Sequence, residues 1–372
     1  MSAVSFSDKF KGLGREYLLQ TSLNELNCNI ICSLFSSGHL LSSRTLPSPE
    51  NMTGLDLTES VQEIHRQYLA DFRSLFGLIE RIRDSDKPEL IEKLGKTLYS
   101  KSLYDEGLEL LASALDRHPD YPGLRILLGR ICLALGRFPD AERELLHAVR
   151  LAPEYPDLRN LLGVAFLKSK RPTAAIGEFK KAVSINIYFH NAYFNLGLGY
   201  IQNGIVKEDF NLAKNLLQNC NEVFGKATMF NPGYLTRDYE QGRLYLARGK
   251  LEEAYEILSR VADLNGSPDS HDRLLEMYLR YVHGDGGMTE GGISKYIGEL
   301  KDFLKTSPGY ADLQNELGLA YTVTAKFMND KAIKRFEEAL KINTGFSRAR
   351  KNLKLAENDL KGFEILLEAI FK

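Results

Sequence analysis

The side chains able to do chemistry in this sequence are few and scattered. The seven histidines, His39, His65, His118, His147, His190, His271 and His283, are dispersed along the chain. None stands in an HExxH pair or in the spacing of a nucleophile–base–acid triad. Cys28 and Cys32 would share one face of a helix and could hold a metal. A structural zinc takes four ligands, however, and no second pair is in view. The glycine-rich stretch HGDGGMTEGG, His283 to Gly292, lacks both the Lys-Ser/Thr of a phosphate loop and the alternating acids of a calcium loop. It is expected to be a flexible insertion between helices. The sequence therefore predicts no catalytic residue, no cofactor and no metal site.

Composition narrows the class further. The chain has 372 residues and a formal net charge of −1, without the basic excess of a dedicated nucleic-acid binder. Cys132 and Cys220 fall at core positions of helical patterns, and no disulfide framework is evident, which favours a reducing compartment. Leu18 to Leu41 is apolar in places but broken by Asn, Ser and Gly, so it is neither a membrane span nor a signal sequence. A cytoplasmic protein without a membrane span is expected.

What could act is a surface, and a repeat must position it. Gly95, Gly129, Gly163 and Gly197 recur every 34 residues, each preceded by Leu. Ala114, Ala148 and Ala182 keep the same interval, as do Pro88, Pro122 and Pro156. A period of this length marks a repeat array. In the unit from Pro122 to Tyr155, Leu124, Leu127, Leu128, Ile131 and Leu135 form one helical stripe. Gly136 ends that helix and Pro139 opens a second, with its own stripe of Ala141, Leu145, Ala148 and Val149. Gly129 and Ala141 are small enough to sit where two backbones cross, and a large side chain there would overpack the crossing.

The pattern of Leu-Gly, an aromatic or Leu three residues on, then Ala, Phe/Leu, Ala and Pro resembles the tetratricopeptide repeat. The resemblance implies an all-α fold, an α-solenoid in which helix-turn-helix units wind into a right-handed superhelix that binds proteins on its concave face. About seven units are expected, over 88–121, 122–155, 156–189, 190–224, 235–268, 269–310 and 311–346. In the fourth, Ala213, Leu217 and Cys220 are taken as the second-helix positions. Residues 1–51 are expected to be a disordered extension. A capping helix is expected over 52–87, its stripe Val61, Ile64, Tyr68, Phe72, Leu75, Ile79 and Ile82 covering the first repeat or else forming a homodimer through the 58–83 helix. Residues 347–372 are expected to cap the other end.

The resemblance also implies that the first helix of each pair lines the groove. Counting from the glycines, groove positions include Glu92, Lys96 and Tyr99, then Ile126, Arg130 and Leu133, then Asn160, Leu161, Val164 and Lys168. Later repeats add Phe194, Asn195, Leu198, Tyr239, Glu240 and Arg243. The expected binding set is Asn160, Val164, Phe194, Asn195, Leu198, Tyr239 and Arg243. Phe194 and Tyr239 would anchor a peptide or amphipathic helix, the Asn amides would hold its backbone, and Arg243 would pair with an acid. Asn160 and Val164 stand where a carboxylate clamp wants Lys and Asn, so clamp function is not expected. The expected function is a non-enzymatic interaction scaffold. The alternatives are a regulatory subunit of an enzyme complex or an RNA-binding helical repeat.

Overall fold

The computed structural model describes residues 4–24, 29–47, 55–265, 290–306 and 311–370, with Glu276 and Leu279 between. The chain divides into two compact units, one of residues 83–268 and one of residues 1–82 with 269–372.

Residues 83–268 hold the helix pairs: α2 (Pro88–Ser100) with α3 (Tyr104–Arg117), α4 (Pro122–Ala134) with α5 (Phe138–Leu151), and α6 (Pro156–Lys168) with α7 (Pro172–Ile185). There follow α8 (His190–Val206), the short α9 (Phe210–Lys214), α10 (Leu216–Phe230), α11 (Arg237–Ala247) and α12 (Leu251–Asn265). Proline opens α2, α4 and α6, where its missing N–H would have had no partner. Each turn within a pair is closed by one left-handed residue, Ser102, Gly136, Lys170 and Gly249. The next amide reaches back to the helix in each case, as Arg137 N–H does to the Cys132 carbonyl at 2.8 Å.

The repeat glycines mark the crossings. A Cβ at Gly129 would lie 2.6 Å from Leu145, and one at Gly163 would lie 2.4 Å from the Phe179 ring. Gly163→Leu is therefore expected to cost about 1–3 kcal/mol by overpacking. An unchanged denaturant midpoint would show that α6 and α7 do not cross at this residue. Beside the crossings, a charge pair recurs at the repeat interval. Arg125 meets Glu144 at 2.8 Å, and Arg159 meets Glu178 at 3.0 Å. The same guanidinium groups donate to the Pro119 and Pro153 carbonyls of the preceding unit. They thus bind helix to helix and repeat to repeat.

The fourth repeat departs from the expected register. It is Phe224, not Leu217, that meets the Gly197 crossing, with a built Cβ 2.5 Å from the ring. Cys220 and Ala227 are buried on either side, while Leu217 is exposed. The reason is the insertion. Asn203 exchanges two hydrogen bonds with the Asp209 backbone, and Asp209 caps α9, so the second helix starts later and runs to Phe230 rather than ending at 224.

In the other unit, the N-terminal residues are not a disordered extension. They form a four-stranded antiparallel meander of β1 (Ser5–Gly12), β2 (Arg15–Asn24), β3 (Asn29–Ser36) and β4 (His39–Pro47). Leu13-Gly14 and Ser37-Gly38 make two-residue turns with positive φ throughout, the twist that suits a hairpin. Phe10, Tyr17, Leu19, Ile30, Cys32 and Leu34 are buried on one face. Helix α1 (Leu55–Ile82) covers that face. Val61, Ile64 and Tyr68 pack with Ile30 and Cys32, and Phe76 stacks on Phe10 and lies tilted against Tyr17. His65 is buried and joins Thr21 Oγ1 at 2.9 Å and Asp8 Oδ2 at 3.0 Å. This part of the stripe, expected to cap a repeat or to dimerise, instead closes a core within its own chain.

The C-terminal residues also differ from expectation. Of the sixth repeat, α13 (Glu290–Thr306) is described. The glycine-rich stretch before Glu290 and, apart from Glu276 and Leu279, the first half of that repeat lie outside the described residues. The seventh repeat is not a helix pair: α14 runs unbroken from Ala311 to Ile342. No Gly or Pro stands between Thr324 and Asp330 to open a turn. Helix α15 (Ser347–Ile370) folds back along α14, where Asn329 Nδ2 donates to the Ala356 carbonyl at 2.8 Å. Arg350 donates to the carbonyl six residues before it, as Arg125 and Arg159 do, so α15 begins like a first helix.

Candidate protein-interaction surface

The first helices α2, α4, α6 and α8 lie side by side in succession. Their shared face carries both polar and apolar side chains. Glu92 accepts from the Tyr121 hydroxyl at 2.8 Å and pairs with Lys96 at 2.8 Å. Burial and the Glu92 carboxylate both raise the Tyr121 pKa, so this phenol stays protonated. Ile126, Leu133 and Val164 are half-buried, as is Arg130. Arg130 makes no hydrogen bond or ion pair among the described residues. Asn195 Nδ2 donates to Asn160 Oδ1 at 3.0 Å, joining α8 to α6. These two amides, expected to hold a ligand backbone, hold each other.

Further along, the face is closed. Phe194 is 0 % exposed and Tyr239 8 %, and Leu198 is buried as well, so none of the three is an exposed anchor. The cause is the junction after α10. A short turn at Pro232–Tyr234 places the Tyr234 ring flat on Phe194, 4.3 Å between centroids. The Tyr234 hydroxyl donates to Asn191 Oδ1. Phe224 meets Phe194 edge-on at 5.0 Å, and Tyr239 lies 6.2 Å from both. The expected peptide anchors are thus the inner residues of an aromatic cluster that the chain completes by itself. Arg243 is engaged too: it donates to the Cys220 carbonyl and Asn221 Oδ1 and lies over the Phe224 ring. Tyr121, Tyr155 and Phe189 stand 34 residues apart, but Tyr234 comes 45 residues after Phe189, so the interval does not point to it.

The described residues hold no cluster of His, Cys, Asp and Glu able to bind a metal. Cys32, Cys132 and Cys220 are buried thiols. Burial raises the pKa of all three, that of Cys220 to about 12, so each remains a neutral core residue. Cys28 lies outside the described residues, and Cys32 sits on a strand rather than a helix. Among the described residues no helix is long and apolar enough to cross a membrane.

Residues 98–164 match the family model of the tetratricopeptide repeat. No curated protein matches the chain. Among solved structures, the chain is similar to MamA at 21% identity, with 46% of this chain and 93% of that one covered and a TM-score of 0.36. It is similar to YrrB, described as a TPR protein with an unusual peptide-binding site, at 20% identity over 56% of this chain and 97% of that one, TM-score 0.37. TTC0263 from Thermus thermophilus, a thermophilic TPR protein, shares 21% identity over 54% of this chain and 99% of its own, TM-score 0.33. The matched segment runs from α2 to α6, across the helix pairs whose crossings keep the 34-residue register, and it is this segment that is similar to the tetratricopeptide repeat.

Proposed function

We propose that this protein is a non-enzymatic interaction scaffold that takes an acidic, partly apolar peptide or amphipathic helix of a partner protein along the face of α2, α4 and α6. The observation that carries the reading is Arg130. Its side chain is half-buried, as are Ile126 and Leu133 one turn to either side of it on α4 and Val164 at the equivalent place on α6, and it has no anionic partner among the described residues. A half-desolvated guanidinium gains most from a carboxylate that binds it in a fork, and the surrounding apolar side chains supply area for a ligand to bury. This moves the binding face from the third to fifth repeats to the first three, because Tyr234 occupies the later part of the groove. Buried free thiols suit a reducing compartment, and the cytoplasm is the proposed location.

The test is affinity capture with the full chain, followed by titration of a peptide from the captured partner. Arg130→Glu is expected to weaken binding by about 10- to 100-fold, with the melting curve unchanged. Arg150→Glu, on the exposed side of a second helix, serves as control. If Arg150→Glu abolishes binding and Arg130→Glu does not affect it, the first-helix face is not the site.

A further inference from the structure

In the regular units a repeat glycine receives a large side chain from the second helix of its own pair: Gly129 receives Leu145, Gly163 receives Phe179, and Gly242 receives Leu258. The seventh repeat has both halves of this signature, Leu317-Gly318-Tyr321 and Ala332-Phe336-Ala339. They lie on one continuous helix, α14. Phe336 is therefore about 27 Å along the axis from Gly318, out of reach within the chain. Nothing lies within 4 Å of where a Gly318 Cβ would be.

Joining the halves brings both signatures onto one face. Gly318, Tyr321, Ala325, Met328, Ala332, Phe336 and Ala339 follow one another at intervals of three and four residues. That stripe lies on the side of the helix opposite the buried Glu316, Ala320 and Val323. Tyr321 is 45 % exposed, with Lys301 over its ring, and Met328 48 %, while Ala325, Ala332, Phe336 and Ala339 are half-buried. Small and large side chains alternate along it. Turned end for end about residue 327, the stripe is complementary to itself to within one residue: Phe336 falls opposite Gly318, Tyr321 next to Ala332, and Met328 next to Ala325.

We infer that α14 is a dimerisation helix, and that the occupant of this partly exposed stripe is α14 of a second copy of this chain, antiparallel to the first. Each copy supplies the other with the half-repeat that its own straight helix cannot bring back. A second copy is singled out over an unrelated partner because the two missing halves are those the chain itself carries. The contact is isologous, so it closes at two copies and does not propagate.

The test uses the full chain with Cys28→Ser, so that the remaining native thiols are the buried ones. Light scattering across a concentration series should show a monomer–dimer equilibrium. Phe336→Glu should weaken it by at least about tenfold with the circular dichroism unchanged. A short bis-maleimide should join two chains carrying Met328→Cys and should leave Lys334→Cys, on the opposite face, as monomer. The cross-linking comparison decides the matter even if Phe336→Glu fails to fold. A chain monomeric at every concentration, a dimer indifferent to Phe336→Glu, or equal cross-linking at 328 and 334 would each overturn the inference.

Discussion

A chain beginning at Met52 is expected to lose the ordered core of its N-terminal domain. Without the sheet, Val61, Ile64, Tyr68 and Phe76 of α1 have no cover, because Ile30, Cys32, Phe10 and Tyr17 supply it. Each large apolar side chain returned to water forgoes about 1.5–3 kcal/mol, so four of them approach the whole stability of a small domain. His65 would also lose both ring partners, Thr21 and Asp8. Amides of residues 58–76 should exchange rapidly, the truncated chain should bind a hydrophobic dye, and its first melting transition should fall or vanish. Retention of the full-length melting curve and of protection in α1 would show that the sheet is dispensable.

Phe194→Ala is expected to lower stability by about 3–5 kcal/mol, the usual cost of emptying a buried aromatic site. Phe194 is the central ring of the junction, touching Tyr234, Phe224 and Tyr239. Removing it leaves a cavity between α8 and α10, and Tyr234 loses the surface on which it stacks. Tyr234→Phe serves as a milder companion, since it deletes only the hydroxyl bond to Asn191. It should cost about 1 kcal/mol. Urea unfolding of the three proteins separates the readings. If Phe194→Ala keeps the wild-type midpoint yet abolishes partner binding, Phe194 is a ligand anchor and the cluster is not a core.

The helix pairs were legible because their determinants are local and repeated. Leu-Gly, the later alanines and the opening prolines each report a backbone crossing or a helix end within a few residues, and the 34-residue interval shows that the same solution recurs. The Arg130, Ile126 and Leu133 positions followed from counting within that interval. The N-terminal sheet was also partly written in the sequence. Leu13-Gly14 and Ser37-Gly38 are hairpin turns, and Tyr17, Leu19, Thr21 and Ile30, Cys32, Leu34 alternate with a period of two. Its strand pairing becomes visible only when both turns are read together, because either strand alone is a short apolar stretch broken by Asn, Ser and Gly.

Three features belong to the tertiary structure alone. Whether Phe194 faces a ligand or a core depends on Tyr234, which lies 40 residues further on, and no periodicity connects a helix face to the loop that folds over it. Whether α1 caps a repeat or a sheet depends on which apolar surface reaches its stripe, because the hydrophobic effect has no direction of its own. Whether Thr324 to Asp330 turns or runs on depends on the balance between closing a helix pair and packing against α13 and α15. Residue type sets the two signatures on α14, but only the packing of neighbouring helices decides that they share one straight face.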